Sequence, residues 1–170
     1  MDSVDIFISY AWRDNEPPVG VGVDPKKDRW VWMFHDALQK ALSINLGRDA
    51  FVWIDKREIK TNDRVETVLS NELSRSRLLL TLMSPSWLNS DWCQLELNEF
   101  KRSHPGTKTS EFVFVVEVEP VPRASWQELV AVKGLQFYTQ QPSGAGHIRF
   151  GYPLPSLTDA EYHKQIVWLA

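Results

Sequence analysis

Short apolar runs alternate with amphipathic segments along most of this chain, and this alternation strongly constrains its fold. The runs at residues 50–54, 77–83 and 111–118 are nearly continuous in apolar side chains. Such runs are buried on both faces, which is typical of strands in a parallel sheet covered by helices. Between them, apolar residues recur at helical spacing, so the pattern predicts repeated strand–helix units.

Five such units predict an α/β domain with a flavodoxin-like parallel sheet, strand order 2-1-3-4-5, and helices on both faces. The predicted strands are 5–9, 50–54, 77–83, 111–118 and 134–138, and the predicted helices are 28–46, 64–75, 92–101, 125–130 and 158–170. Gly47 is expected to end the first helix. The segments at 10–27, 55–63 and 140–157 are rich in Pro, Gly or polar residues and are typical of loops.

The composition indicates one folded domain without the excess of basic residues that binding to nucleic acid requires. The chain has 170 residues, 43% of them hydrophobic and 24% charged, with a net charge of −3. No apolar run approaches the ~20 residues that cross a bilayer, and the first residues lack a signal-peptide pattern. Cys93 is the sole cysteine, which excludes an internal disulfide and favours a cytoplasmic protein. Because no stop signal follows the last helix, we expect residues 1–170 to begin a longer protein with a downstream regulatory domain.

The helix after the third strand carries a carboxyl group on the side expected to face the core. With Trp92 at zero and about 100° per residue, Glu96 lies near 40° and Glu99 near −20°. The apolar residues of the same arc are Cys93, Leu95, Leu97 and Phe100. A carboxylate that faces a core must be paired with a cation, be neutralised by a proton or serve a function at a binding or catalytic site. The helical phase does not distinguish Glu96 from Glu99.

The predicted topology places this helix beside a ligand-binding edge. Ligands of flavodoxin-like sheets bind outside the carboxyl ends of the strands, here between strands one and three. Residues 9–13, residues 55–63 and the loop after Met83 should line that crevice. Glu96 should lie close to the rim, because its helix follows the third strand.

Four segments together resemble the Toll/interleukin-1 receptor (TIR) domain. They are DIFISY at residues 5–10, VWID at 52–55, LTLMSP at 80–85 and WCQLEL at 92–97. Their order, spacing and positions on the predicted elements match the family from about residue 4 to residue 138. The style of the segments is most like that of bacterial NAD-cleaving TIR effector domains, and the resemblance implies the same flavodoxin-like fold.

The resemblance also implies a site. Some TIR domains cleave NAD at the nicotinamide–ribose bond with a glutamate near the start of the third helix, and this glutamate matches Glu96. In some bacterial members a tryptophan four residues earlier stacks on the nicotinamide end, and it matches Trp92. Further substrate contacts are expected at Ser9, Tyr10, Trp12, Arg13, Asp55, Arg57 and Ile59.

The implied activity is that of an NAD glycohydrolase or cyclase that releases nicotinamide and linear or cyclic ADP-ribose. NAD is then the substrate, and no cofactor or metal ion is expected, since the four histidines lack ligand spacing. TIR domains self-associate, partly through the loop that corresponds to 55–63. We therefore expect an enzyme that is active on self-assembly in innate immune signalling, including antiphage defence.

One carboxylate can suffice for this chemistry. Glycoside hydrolysis usually needs a second carboxyl group to protonate the leaving group. Nicotinamide in NAD is already a cationic pyridinium and leaves as a neutral molecule, so no acid is needed. A single carboxylate near the ribose can stabilise the positive charge that develops there.

Other interpretations stay open at this stage. Glu96 could simply complement the helix dipole with its head in water, and Cys93 is most simply a small buried residue. The domain could be a non-catalytic TIR–TIR interaction module, or an enzyme of the nucleoside deoxyribosyltransferase type. A phosphoacceptor receiver domain is excluded, because Ser9, Tyr10, Ser84 and Pro85 stand where it needs acidic residues.

Overall fold

The computed structural model describes residues 3–20, 22–56, 63–122, 127–130, 132 and 134–170, without the side chains of 63–66 and 127–128. The strands are Val4–Ser9 (β1), Val52–Ile54 (β2), Ser76–Met83 (β3), Val113–Glu117 (β4), Gly134–Gln136 (β5), Tyr138–Gln140 (β6) and His147–Arg149 (β7). The α-helices are Trp30–Leu46 (α1), Asp63–Arg75 (α2), Pro85–Leu88 (α3), Asp91–Ser103 (α4), Thr109–Phe112 (α5), Gln127–Val130 (α6) and Ala160–Leu169 (α7), and a 3-10 helix spans Trp12–Asn15.

The first five strands form one parallel sheet in the order β2-β1-β3-β4-β5, as the sequence predicts. Ile8 of β1 lies between Ile54 of β2 and Leu80 of β3 in the register of the sheet. The carboxyl ends of these three strands therefore meet at one edge, with β1 in the middle. β6 and β7 form a separate antiparallel hairpin.

One face of the sheet is covered by α1 and α7. Its core is rich in aromatic rings: Trp30 stacks on Phe34 at 5.3 Å, and Phe137 meets Trp30 edge-on at 5.8 Å. Tyr162 of α7 completes the cluster. Gly47 ends α1 at a φ of 64°, a left-handed conformation that glycine adopts without steric cost. We call this half of the core the α1/α7 layer.

The other face is covered by α2, α3 and α4. Leu69 and Leu73 of α2 and Leu97 of α4 pack there against Phe7 of β1. Ser90 caps α4, because its hydroxyl accepts a hydrogen bond from the Cys93 amide at 3.3 Å. We call this half the α2/α4 layer. The prediction of helices on both faces is therefore confirmed. In the described part of the chain, no helix combines the length and apolar character that a bilayer crossing requires.

Several local predictions were wrong. Short helical turns form at 12–15 and at 85–88, where the sequence predicts loops; Ser84 caps the second of them with its side chain. The fourth strand starts at Val113, because residues 109–112 form a helical turn. The segment 140–157 contains β7, whose three-residue pairing with β6 is too short to stand out among Gly and Pro residues. Leu95 is 45% exposed, because it lies at the edge of the apolar arc and faces an open groove between α2 and α4.

Candidate functional site

The carboxyl group of Glu96 is buried beneath the carboxyl ends of the strands. Glu96 is 3% exposed and lies on the same buried face of α4 as Cys93, Leu97 and Phe100. Ser9, the last residue of β1, donates a hydrogen bond from Oγ to Glu96 Oε2 at 2.5 Å. The end of β1 and α4 thus meet through one ionisable side chain.

Burial dominates the electrostatics of Glu96. Loss of hydration is the main cause that raises its pKa, with the nearby charge of Asp55 adding to it, and the Ser9 hydroxyl and Trp92 lower it; together these effects give a pKa of about 8. Burial therefore favours the protonated form of Glu96 in the unliganded protein. A positive charge brought to this carboxyl group would favour its ionised form.

Glu99, the second carboxyl group of the predicted arc, has a different environment. It accepts a hydrogen bond from Ser70 of α2 at 2.6 Å and forms an ion pair with Arg102 at 2.6 Å. Those hydrogen bonds lower its pKa. Glu99 is therefore a paired carboxylate at the α2–α4 contact, and the structure separates two residues that helical phase could not.

A second residue reaches the Ser9 hydroxyl from the opposite side. The indole Nε1 of Trp87, on α3, lies 3.0 Å from Ser9 Oγ, and both side chains are fully buried. The sequence analysis missed this contact. The two residues are 78 positions apart, and no pattern in the chain links them.

Tyr10 and Asp55 join the carboxyl ends of β1 and β2. The Tyr10 hydroxyl donates a hydrogen bond to the Asp55 carbonyl oxygen, and both residues are buried. Burial is the main reason that the pKa of Tyr10 lies above its usual value, with charges of Asp55 and Glu96 adding to it. Both predicted site residues therefore lie close to Glu96.

Trp12 and Arg13 line an open crevice above this edge. The crevice has a volume of about 510 Å³ and is lined by Ala11, Trp12, Arg13, Pro85, Ser86, Asn89 and Ser90. It lies between the segment after β1 and the segment after β3, where the topology predicts ligand binding. Glu96 and Ser9 do not line it. They lie deeper in the α2/α4 layer.

Trp92 lies at the start of α4 and is half-buried against the α2/α4 layer. Trp92 lowers the pKa of Glu96, which places its indole near the carboxyl group, one turn away on the same helix. Arg57 and Ile59, the remaining predicted contacts, lie outside the described residues. Cys93 is fully buried, and burial raises the pKa of its thiol, which fits a small core residue rather than a nucleophile.

An ion cluster ties the β6–β7 hairpin to the segment that carries Trp12. Arg149 of β7 pairs with Glu119 at 2.9 Å and lies 3.9 Å from Asp14, whose carboxylate accepts a hydrogen bond from Ser84 at 2.5 Å. Burial raises the pKa of Asp14, while Ser84 and Arg149 lower it. Sequence analysis missed this cluster, because its members come from three segments distant in the chain.

The fold and the edge at which β1 and β3 end define a class of protein. It is a flavodoxin-like α/β domain with a carboxyl group buried beneath that edge. Comparison with protein families makes the assignment specific. The sequence model described as the TIR domain matches residues 23–145, well over half of the chain, so this chain belongs to the TIR domain family. Comparison with curated proteins gives no match.

Proposed function

We propose that this TIR domain cleaves NAD at the nicotinamide–ribose bond, with Glu96 as its catalytic residue. The observation that carries the proposal is the buried carboxyl group of Glu96, which Ser9 holds at 2.5 Å at the edge of the sheet where the topology predicts ligand binding. A buried carboxyl group with a raised pKa, bonded to a specific partner, is typical of functional sites.

The reaction needs no acid. The bond between C1′ of the ribose and the pyridinium nitrogen breaks, and its electron pair neutralises the departing nicotinamide. The positive charge that this leaves on the ribose is stabilised by the Glu96 carboxylate. Water then adds to C1′ and loses a proton, which gives ADP-ribose, or a nitrogen of the adenine ring adds instead, which gives a cyclic product.

The proposed role requires Glu96 in its ionised form, and this makes a pH prediction. Because burial raises its pKa to about 8, the kcat/KM for NAD should rise with pH through that value. The positive nicotinamide ring of bound NAD favours the carboxylate. The midpoint of the kcat profile should therefore lie at lower pH than the midpoint of the kcat/KM profile.

The other predicted residues take supporting roles in this proposal. Trp92 offers its π-face to the cationic ring, and Trp12 and Arg13 contact the remainder of NAD from the crevice. Ser9, Tyr10 and Asp55 lie near the carboxyl group, and Arg57 and Ile59, outside the described residues, are proposed as further contacts of NAD. We further propose that activity depends on self-association and serves immune defence, with antiphage defence as a specific case.

Product analysis by mass spectrometry after incubation with NAD tests the proposal. The wild-type chain should release nicotinamide under conditions that promote self-association, and Glu96→Ala should lower the rate about 10²–10³-fold or more. Nucleosides assayed alongside NAD separate this activity from deoxyribosyl transfer. Absence of nicotinamide release from the wild-type chain at every concentration and pH tested would overturn the proposal.

One observation favours a second candidate, a non-catalytic TIR–TIR interaction module. Glu96 is 3% exposed and does not line the open crevice, which suits a structural carboxyl group as well as a catalytic one. A module of this kind should keep its self-association in Glu96→Ala and lose it when the loop at 55–63 is substituted. Sedimentation of the two variants beside wild type tests the self-association, and the absence of nicotinamide release from the associated wild-type chain distinguishes the module from the enzyme.

A further inference from the structure

Ser9 lies between an indole and a carboxyl group, and it is hydrogen-bonded to both. Trp87 Nε1 is 3.0 Å from Ser9 Oγ, and Ser9 Oγ is 2.5 Å from Glu96 Oε2. All three residues are buried. The three side chains therefore form a continuous chain of hydrogen bonds, from α3 through β1 to α4, inside the α2/α4 layer.

The indole group sets the direction of this chain. An indole N–H can only donate a hydrogen bond, so Ser9 Oγ must accept from Trp87. The hydroxyl proton of Ser9 is then left to point at Glu96, which accepts it. A hydroxyl group that accepts one hydrogen bond donates a stronger one, because neighbouring bonds in a chain polarise each other.

We infer that Trp87 is a positioning residue for Glu96. Trp87 acts through Ser9: it holds the Glu96 carboxyl group in one orientation and favours the ionised form of that group. The catalytic use of this arrangement rests on the proposed function. The hydrogen-bonded chain itself does not, and it can be tested without any substrate.

The groups around Glu96 show why such support would matter. Burial and the charge of Asp55, at the end of β2, favour the protonated carboxyl group. Tyr10, after β1, and Cys93, on α4, are close enough that Glu96 raises their pKa values, and neither supplies a positive charge. In the described part of the chain, hydrogen bonds from Ser9 and Trp92 oppose these effects by lowering the pKa of Glu96. Weakening the Ser9 bond should therefore raise the pKa of Glu96.

Nuclear magnetic resonance of the wild-type 170-residue chain provides the first test. The indole N–H signal of Trp87 should move with pH at the same midpoint as the side-chain carboxyl carbon of Glu96, and Glu96→Gln should abolish the movement. Trp30 is a matched internal control, because its buried indole donates to the Phe150 carbonyl oxygen, also at 3.0 Å. A Trp87 signal that stays still while Glu96 titrates would overturn the inference.

Two variants provide the second test. Trp87→Phe should raise the midpoint of Glu96 titration by about half to one pH unit, and Ser9→Ala should raise it further. Trp30→Phe removes the same kind of hydrogen bond from the opposite layer and should leave the midpoint unchanged. An unchanged midpoint in Trp87→Phe, or an equal shift in Trp30→Phe, would contradict a positioning role. If Trp87→Phe does not fold, Ser9→Ala and the wild-type indole signal decide.

Activity measurements then separate this inference from the proposed function. If the wild-type chain cleaves NAD, the kcat/KM profile of Trp87→Phe should shift to higher pH by the same amount as the titration. Recovery of rate at high pH would mark an effect on ionisation rather than on folding. If the wild-type chain leaves NAD intact, the proposed function fails, while the indole signal still reports whether Trp87 acts on Glu96.

Discussion

Each helical layer of the sheet buries a tryptophan, but the two indole groups bond to different kinds of partner. Trp30 in the α1/α7 layer donates to the backbone carbonyl of Phe150. Trp87 in the α2/α4 layer donates to Ser9, whose hydroxyl continues to Glu96. The first contact satisfies a buried polar group and goes no further. The second connects a buried polar group to a side chain that can change its charge.

This difference indicates which layer should respond to pH through its buried tryptophan. The α1/α7 layer packs aromatic rings around Trp30, and its indole is satisfied by a group that does not titrate. The α2/α4 layer encloses a carboxyl group whose pKa burial raises to about 8, which is a cost that folds tolerate mainly at functional sites. Changes in the first layer should therefore alter stability, whereas changes near Glu96 should also alter pH behaviour.

The largest expected effect lies where the β6–β7 hairpin contacts Trp30 of the α1/α7 layer and the segment that carries Trp12. Arg149 lies 4.8 Å over the Trp30 ring and pairs with Glu119 and Asp14, and its side chain is 8% exposed. Arg149→Met should lower the free energy of unfolding by about 3–5 kcal/mol, because it leaves the buried Asp14 side chain and the half-buried Glu119 side chain without their cation. Urea denaturation measures this loss.

A surface ion pair serves as the control for Arg149. Lys164 of α7 pairs with Glu161 at 3.4 Å, and the two side chains are 72% and 46% exposed. Lys164→Met should lower the free energy of unfolding far less than Arg149→Met, because exposed pairs gain little in water. Equal losses for the two variants would mean that the Arg149 cluster does not act as a buried ion cluster.

The second effect is a pH dependence of stability that belongs to the α2/α4 layer. The pKa of Glu96 is about 8 in the folded chain and 4.5 for an ordinary glutamate, so the folded state holds a proton that the unfolded state has lost. The free energy of unfolding should thus fall by roughly a few kcal/mol as pH rises from about 4.5 to 8. Stability curves of wild type and Glu96→Gln measure it: their difference should grow with pH, and parallel curves would refute the raised pKa.

A smaller effect should come from the helix ends, one in each layer. Ser90→Ala removes the cap of α4 and should cost about 1 kcal/mol. Gly47→Ala forces alanine into the left-handed conformation at the end of α1 and should cost roughly 1 kcal/mol, in open space where no atom clashes. Thermal unfolding compares them. Ser90→Ala should also shift the titration midpoint of Glu96, whereas Gly47→Ala should not, because only Ser90 caps the helix that carries Glu96.

The smallest effect is expected at Glu99. Its ion pair with Arg102 is largely exposed on the arginine side, so Glu99→Gln should change stability by less than about 1 kcal/mol. The rate of NAD cleavage by Glu99→Gln, and the pH dependence of that rate, should match those of the wild-type chain. If Glu99→Gln loses as much activity as Glu96→Gln, the assignment of catalysis to Glu96 rather than Glu99 is contradicted.

Much of the fold could be predicted because its cause is local. Apolar runs buried on both faces predict a parallel sheet, and the observed order β2-β1-β3-β4-β5 is the predicted one. Helical phase also predicted that a carboxyl group of α4 faces the core. The phase could not choose between Glu96 and Glu99, since both lie within the same arc, and it placed Leu95 too deep.

The order of apolar and amphipathic segments is therefore enough to define the architecture, because burial periodicity acts over a few residues. The pairing of side chains is decided by the tertiary structure alone. Ser9 meets Trp87 and Glu96 across 78 and 87 positions, and Arg149 meets Asp14 across 135. Such contacts depend on where strands and helices converge in space. The residues of the candidate site come together for this reason, although no pattern along the chain joins them.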